Sequence, residues 1–349
     1  MIGSGFSKRI ASLASAGLAL ALLNPMPALA ANGDSICDLD GAGTIADPWQ
    51  ISVAADFTEI GAGDCAASYS VSQYYVLTQD IELTSPWTPV SNLYVNPGYV
   101  ISLDGNGKTI SGLQVNVTGY AGIFTDIRGA VIKDLTITGT SVTGTSDTGA
   151  LAGLANESIL QNVKVQLSSV TSGDNTGGLI GRMSATSISD IHVEVGSVTG
   201  VDYVGGVVGK LETGAGKTVE RVIASNTDVN GDIYVGGLFG SSDGYSSFDK
   251  LAASGTTVTE GAGGDGTKIG GLFGFIGSAT AITKSLFSGD VVADAAPTLK
   301  IGLLVGEVDG GVVQMTDTSA FGQVLYTTAT AAPAGNIGQV ASGLTYPTF

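Results

Sequence analysis

From about residue 76 onward the chain is written in short stretches in which apolar and polar positions alternate with a period of two, and the stretches themselves recur. Leu135-x-Ile137, Val163-x-Val165 and Ile191-x-Val193 fall in register at a spacing of 28 residues, with Ile132, Leu160 and Ile188 three positions earlier in each copy. The intervening positions vary freely, from Lys133 to Gln161 to Ser189 and from Thr136 to Lys164 to His192. Alternation of this kind predicts β-strands with one buried face. Constant inward columns beside variable outward ones predict coils stacked on one another, each inward side chain lying on its equivalent about 4.8 Å away in the next coil.

A glycine phrase punctuates the same repeat: "NTGGLIG" at 175–181, "YVGGVVG" at 203–209, "YVGGLFG" at 234–240 and "KIGGLFG" at 268–274. Its first-glycine column runs through Ala121, Gly149, Gly177, Gly205, Gly236, Gly270 and Gly302, with a partial copy at Gly338, and the second column holds Gly178, Gly206, Gly237 and Gly271. The spacings of the first column, 28, 28, 28, 31, 34, 32 and 36 residues, predict a solenoid. A helical solenoid is excluded, because every turn of helix written through "SVTGVDYVGGVVG" would contain glycine or β-branched residues. The glycines fit corners or thin places where the backbone needs positive φ or close approach. Ser141, Ser169 and Ser197 form a further column, as do Val142, Val170 and Val198. Asp134, Asn162 and Asp190 form an Asp/Asn column suited to a turn or ladder. Extra length is confined to 212–217, 260–267 and 293–300, read as loops at one corner, while 76–83, 100–110 and 112–117 read as the first, irregular coils. The expected architecture is an all-β parallel β-helix of seven to ten coils over 76–349, preceded by a cap over 31–75.

The first thirty residues change the compartment rather than the fold. Lys8 and Arg9 precede an apolar run from Leu13 to Leu23, and Ala28-Leu29-Ala30 has the small-x-small form of a cleavage site, so 1–30 reads as a secretory signal peptide cleaved near Ala30. No later stretch offers about 18 uninterrupted apolar residues, so no transmembrane helix is expected. The whole chain carries a formal charge of −17; removing two basic residues leaves 12 − 31 = −19. That balance disfavours nucleic acid and anionic membranes as partners. Two cysteines, Cys37 and Cys65, in an oxidising compartment read as one disulfide pinning the cap. A zinc set would lack ligands, since His192 is the only histidine.

Together, "LDGNGKTISGLQV", "YAGIF", "IKDLTITG" and the repeated "GGLIG/GGVVG/GGLFG" resemble the GLUG-motif repeat of secreted and surface proteins of bacteria, and 41–60 resembles the segment that opens such regions. The resemblance covers roughly 41–310 and implies a right-handed parallel β-helix similar to the pectin-lyase-like group. Repeats of this kind are associated with adhesins and with non-catalytic parts of large surface proteins, including some IgA-cleaving metalloproteases, whose HExxH motif is absent from this sequence. The seventh copy departs from the pattern, with Leu303 in place of the second glycine.

Several motifs invite chemistry. "GAGTIA" at 41–46 has a loose dinucleotide-fingerprint form but precedes Asp47-Pro48 rather than a helix, and "GNGKT" (105–109) and "GAGKT" (214–218) end like a P-loop yet have Ser102 and Leu211 where its first glycine belongs. All three read as turns. An ice-binding face would need Thr rows, and Thr136 and Thr138 become Lys164 and Gln166, then His192 and Glu194. No cofactor is expected; Asp-rich turns at 241–244 and 263–266 could bind Ca²⁺ weakly, without the repetition of calcium-dependent β-rolls. For carbohydrate cleavage the candidates are Asp134, Asp190 and Glu194, because hydrolysis by paired carboxylates needs two acids at fixed separation on one face. The leading expectation is a non-catalytic secreted or cell-surface scaffold binding extracellular glycans or proteins. A polysaccharide lyase or glycoside hydrolase is the alternative, an ice-binding protein a third, and the oligomeric state is left open.

Overall fold

A computed structural model describes residues 37–61, 65, 71–91, 93–94, 98–261, 267–293, 299–309, 312–326 and 341–342. The expected signal peptide, the turn at 263–266 and the partial glycine phrase at Gly338 lie outside them. The described chain is a parallel β-helix built from three sheets of 16, 9 and 5 strands. In the largest, ten strands stack in chain order along one path. Nine steps of about 4.8 Å make that stack about 43 Å long. No helix among the described residues is long and apolar enough to cross a membrane.

The columns read from the sequence are the ladder itself. Ile159–Thr171 pairs in parallel with Ala130–Thr143 and with Ser187–Thr199, matching Leu160 to Ile132 and Ile188, Val163 to Leu135 and Ile191, and Val165 to Ile137 and Val193. All nine of these apolar residues are buried. The three-residue step from Leu160 to Val163 has a local cause. Asn162 takes a left-handed conformation, φ 51°, as do Asp134 at 54° and Asp190 at 56°, so two successive residues face outward and the strand bends without losing its inward column. The same bend continues in Arg221, Lys250 and Lys284, where residue type alone would not suggest it.

The glycine phrase joins the short sheet to the nine-stranded one. Asn175–Gly177, Tyr203–Gly205, Tyr234–Gly236, Lys268–Gly270 and Lys300–Gly302 stack as the short sheet, and Ile180–Ser184, Val208–Leu211, Phe239–Ser242, Phe273–Ile276 and Val305–Val308 follow in the other. Of the two reasons expected for glycine, close approach is the operative one: none of Gly177, Gly178, Gly205 or Gly206 has positive φ. A Cβ on Gly205 would lie 2.6 Å from the Leu238 carbonyl oxygen and 2.8 Å from the Gly240 nitrogen, and closer still to the Val208 oxygen. In the second column a Cβ on Gly178, Gly206, Gly237 or Gly271 would strike the carbonyl oxygen of the equivalent residue one coil on, Gly206, Gly237, Gly271 and Leu303 respectively. Leu303 closes that series, in the last described copy of the phrase.

At the N-terminal end Trp49–Ile51 already pairs in parallel with Gln73–Leu77. Cys37 and Cys65 are disulfide-bonded, with Cα atoms 4.9 Å apart, and Cys65 is buried in the apolar core.

Candidate functional site

The outward face of the largest sheet carries the carboxylates nominated by the sequence, and the bends decide what they can do. Asp134 and Asp190 sit two coils apart, about 10 Å by strand spacing, with Asn162 between them. Asn162 Nδ2 donates to Asp134 Oδ1 at 2.7 Å, and Lys133 Nζ lies 2.7 Å from Asp104 and 3.7 Å from Asp134. Arg221 grips Asp190 with both arms of its guanidinium, at 2.5 and 2.9 Å. The hydrogen bonds from Arg221 hold the Asp190 carboxyl below the usual range. Glu194 stands on the same face between Gln166 at 3.1 Å and Asn226 at 3.3 Å, and those two amides lower its pKa in that order. Asp190 and Glu194 are therefore stabilised as anions, whereas glycosidic cleavage needs one carboxyl kept protonated as the acid. His192 is outward, in register with Lys164 and Ile223, and its Nε2 lies 2.9 Å from Ser225 Oγ. It lines an open, 420 Å³ depression with Asp190, Arg221 and Ile223.

The phosphate-like motifs are closed by their own turns. In "GNGKT", Asn106 (φ 52°) and Gly107 (φ 69°) form a type I′ turn closed by Lys108 N–H to the Gly105 oxygen at 2.8 Å. The remaining loop N–H groups donate to Lys133 O, Asp104 Oδ1, Asp134 O and Asp80 Oδ1, leaving no cradle for an anion. "GAGKT" turns likewise, with Lys217 N–H donating to Gly214 O and Gly216 at φ 74°. "GAGTIA" runs into the strand Trp49–Ile51. No group of three His, Cys, Asp or Glu placed to hold a metal ion occurs among the described residues.

A second site has its origin in the residues flanking the glycine phrase. Two positions before the first glycine, Asn175, Tyr203, Tyr234, Lys268 and Lys300 stack in register on the short sheet. Five positions after it, Arg182, Lys210, Ser241, Phe275 and Glu307 stack on the neighbouring sheet. The sharp turn at the glycines brings the two rows together. Arg182 Nε donates to Asp147 Oδ2 at 2.8 Å and its Nη2 to Tyr120 Oη at 3.2 Å, while Asn175 Nδ2 donates to Asp147 Oδ1 at 2.5 Å. Asp147 is 2% exposed, so its charge is compensated wholly by protein groups. Burial opposes the charge on Arg182, but Asp147 and Glu212 outweigh it and raise its pKa. Lys210 reaches Glu212 at 3.1 Å and covers the Tyr203 ring at 4.7 Å; Tyr203 stacks on Tyr234 at 4.8 Å, and Lys268 lies over the Tyr234 ring at 4.8 Å.

The result is a polar notch of 270 Å³ between the two sheets. Its four carboxylates, Asp147, Asp174, Asp202 and Glu212, outnumber its two cations, Arg182 and Lys210. Asn175 Oδ1 is buried without a hydrogen-bond partner, and the Asp174 and Asp202 carboxylates, which also line the notch, make no ion pair among the described residues. Burial, then Asp174 and Asp232, push the Asp202 carboxyl above its ordinary value. The sequence reading missed this site because its two rows lie on either side of the phrase, and Asp147 meets Arg182 only across a coil boundary. The signal was nevertheless present as the two variable positions flanking each constant "GG".

No protein-family model matches the chain, and no curated protein matches it. Among solved structures it is similar to a crystal structure of a proposed immunoglobulin A1 protease from Bacteroides ovatus, at 18% identity over 85% of this chain and 83% of that one, with a TM-score of 0.47.

Proposed function

We propose that the protein is an exported, non-catalytic β-helix of the GLUG-repeat kind that binds extracellular glycan through the notch between its short and nine-stranded sheets. The observation that carries this reading is the surplus of carboxylates over cations there. Asp174 and Asp202 lack cationic partners among the described residues, in a notch lined also by the Asp147–Arg182 pair, and a saccharide presents hydroxyl donors in number. A groove so polar suits hydroxyl groups better than the apolar anchors that dominate protein interfaces. The disulfide is in keeping with an oxidising compartment.

The reading against catalysis is supported by the partners of Asp190 and Glu194, which favour their ionised forms. Both readings meet one experiment on the purified chain: calorimetric binding to a polysaccharide panel, with parallel assays for new reducing ends or unsaturated products. Binding without turnover, weakened by Asp202→Ala and untouched by Asp190→Ala, is the expected result. Turnover abolished by Asp190→Ala refutes the scaffold reading.

A further inference from the structure

Beyond Gly139, Ser168 and Gly196 the long strands of the largest sheet carry, in each coil, a three-residue segment facing out, in and out. Three consecutive coils read Ser141-Val142-Thr143, Ser169-Val170-Thr171 and Ser197-Val198-Thr199, and the ladder pairs them residue for residue. The register runs on without a slip into Asp228-Val229-Asn230 and then Thr257-Val258-Thr259. Gln114 and Asn116 precede the series opposite Ser141 and Thr143. The inward valines, Val142, Val170, Val198, Val229 and Val258, are all 0% exposed, so every outward pair is clamped at the same height over the core.

Two parallel rows result, spaced about 4.8 Å along the axis and about 6.7 Å across it over six coils, or about 24 Å. Their chemistry is unlike the rest of the surface. Nearby outward rows carry Lys133, Lys164, His192 and Glu194, in a chain whose formal charge is −17, yet eleven of the twelve positions in this strip are uncharged Ser, Thr, Asn or Gln, the exception being Asp228. Among the described residues, none of the six hydroxyls in the three Ser-Val-Thr coils is hydrogen-bonded within the chain. The threonines are β-branched and stiff at χ1, which presets a hydroxyl and a methyl at each site.

We propose that this strip is an ice-binding face. A neutral strip calls for a neutral partner, and a strip with two fixed repeats calls for a partner that is itself periodic. Each hydroxyl donates one hydrogen bond and accepts up to two, so it can join a lattice whose waters each donate two and accept two, and rows so regular would hold such waters at both repeats. The threonine rows looked for in the sequence at Thr136 and Thr138 are broken by Lys164 and Glu194 in the ladder. The neutral array lies instead further along the same strands, in the Ser/Thr columns. It lies on a different sheet from the notch, so the two proposals stand or fall separately.

The test uses the purified full chain in thermal-hysteresis and ice-recrystallisation measurements. Thr171→Tyr plants a bulky side chain in the middle of the strip at an exposed position, Thr199→Lys introduces a charge as a second variant, and Lys164→Tyr is the same bulk on a neighbouring row. Unchanged circular dichroism and melting certify the fold. A hysteresis gap in the parent, lost in Thr171→Tyr and Thr199→Lys, kept in Lys164→Tyr and widened in Asp228→Thr, is the expected pattern. Absence of hysteresis and of recrystallisation inhibition in the folded parent overturns the proposal, as does equal activity in Thr171→Tyr. Retention on crystalline cellulose or chitin that Thr171→Tyr abolishes, without ice activity, also overturns it and reassigns the strip to a glycan surface.

Discussion

Gly205→Ala and Gly205→Asn together test why the glycine phrase is repeated. If glycine were there for positive φ, asparagine would be the better replacement, because it tolerates the left-handed region that alanine avoids. Close approach reverses that order. The added Cβ meets Val208 O, Leu238 O at 2.6 Å and Gly240 N at 2.8 Å, all of them backbone atoms held in ladders and unable to rotate away. Overpacking against a rigid neighbour costs about 1–3 kcal/mol. Alanine recovers about 0.4–1 kcal/mol by restricting the unfolded chain. The upper part of the overpacking range applies here, so Gly205→Ala should lose about 2 kcal/mol, near 4–8 °C in Tm for a large domain, and Gly205→Asn more. At Gly216, which has φ 74° and nothing within 4 Å of an added Cβ, the order should invert, with asparagine better tolerated than alanine. Thermal and urea unfolding give the ranking, and hydrogen exchange should place the loosening in the coils on either side of residue 205. A Gly205→Asn protein as stable as Gly205→Ala, or both within about 0.5 kcal/mol of the parent, would falsify the close-approach account.

Four further outcomes follow from the same geometry. Arg182→Ala strands the buried Asp147 carboxylate with Asn175 as its remaining side-chain donor and should destabilise by about 3 kcal/mol in urea unfolding, with Asp147→Asn relieving part of the loss. Reducing the Cys37–Cys65 bond, whose partners are 28 residues apart, should cost about 3 kcal/mol, read as a lower melting temperature in dithiothreitol that Cys37→Ser reproduces and reductant no longer changes. The raised pKa of Asp202 means that the folded state binds its proton more tightly than the unfolded chain. Stability is therefore lost as pH rises from the ordinary carboxylate range through the folded-state value, and Asp202→Asn should stabilise at neutral pH but not in acid, as pH-dependent melts would register. Lys250, at φ 55°, should gain about 1 kcal/mol on replacement by glycine, visible as a higher urea midpoint.

What could be read from the sequence, and what could not, divides along a physical line. Inward columns such as Leu135, Val163 and Ile191 were legible because burial forbids polar substitution in every coil and the ladder keeps the spacing fixed. The bend at Asp134, Asn162 and Asp190 was legible as far as residue type betrays it, since Asp and Asn tolerate left-handed φ. Beyond Asp190 the same bend falls on Arg221, Lys250 and Lys284, and there the ladder imposes a conformation the residues would not choose, so local propensity is silent.

The notch was illegible for a different reason. The rows Asn175, Tyr203, Tyr234 and Arg182, Lys210, Ser241 are each visible at constant offsets from "GG", but sequence spacing does not say that two outward rows on successive strands face one another. That depends on how sharply the chain turns between them, and sharpness is what the glycines supply: with no Cβ at residues 177, 178, 205 and 206, the short sheet lies close enough for Arg182 to reach Asp147 and for Lys210 to cover Tyr203. The constant phrase and the variable flanks are thus one device. A substitution that loosened the turn at Gly205 should weaken glycan binding at the notch without touching any residue that lines it, whereas the same loosening should leave the Ser/Thr strip, clamped by its own valines on another sheet, in register.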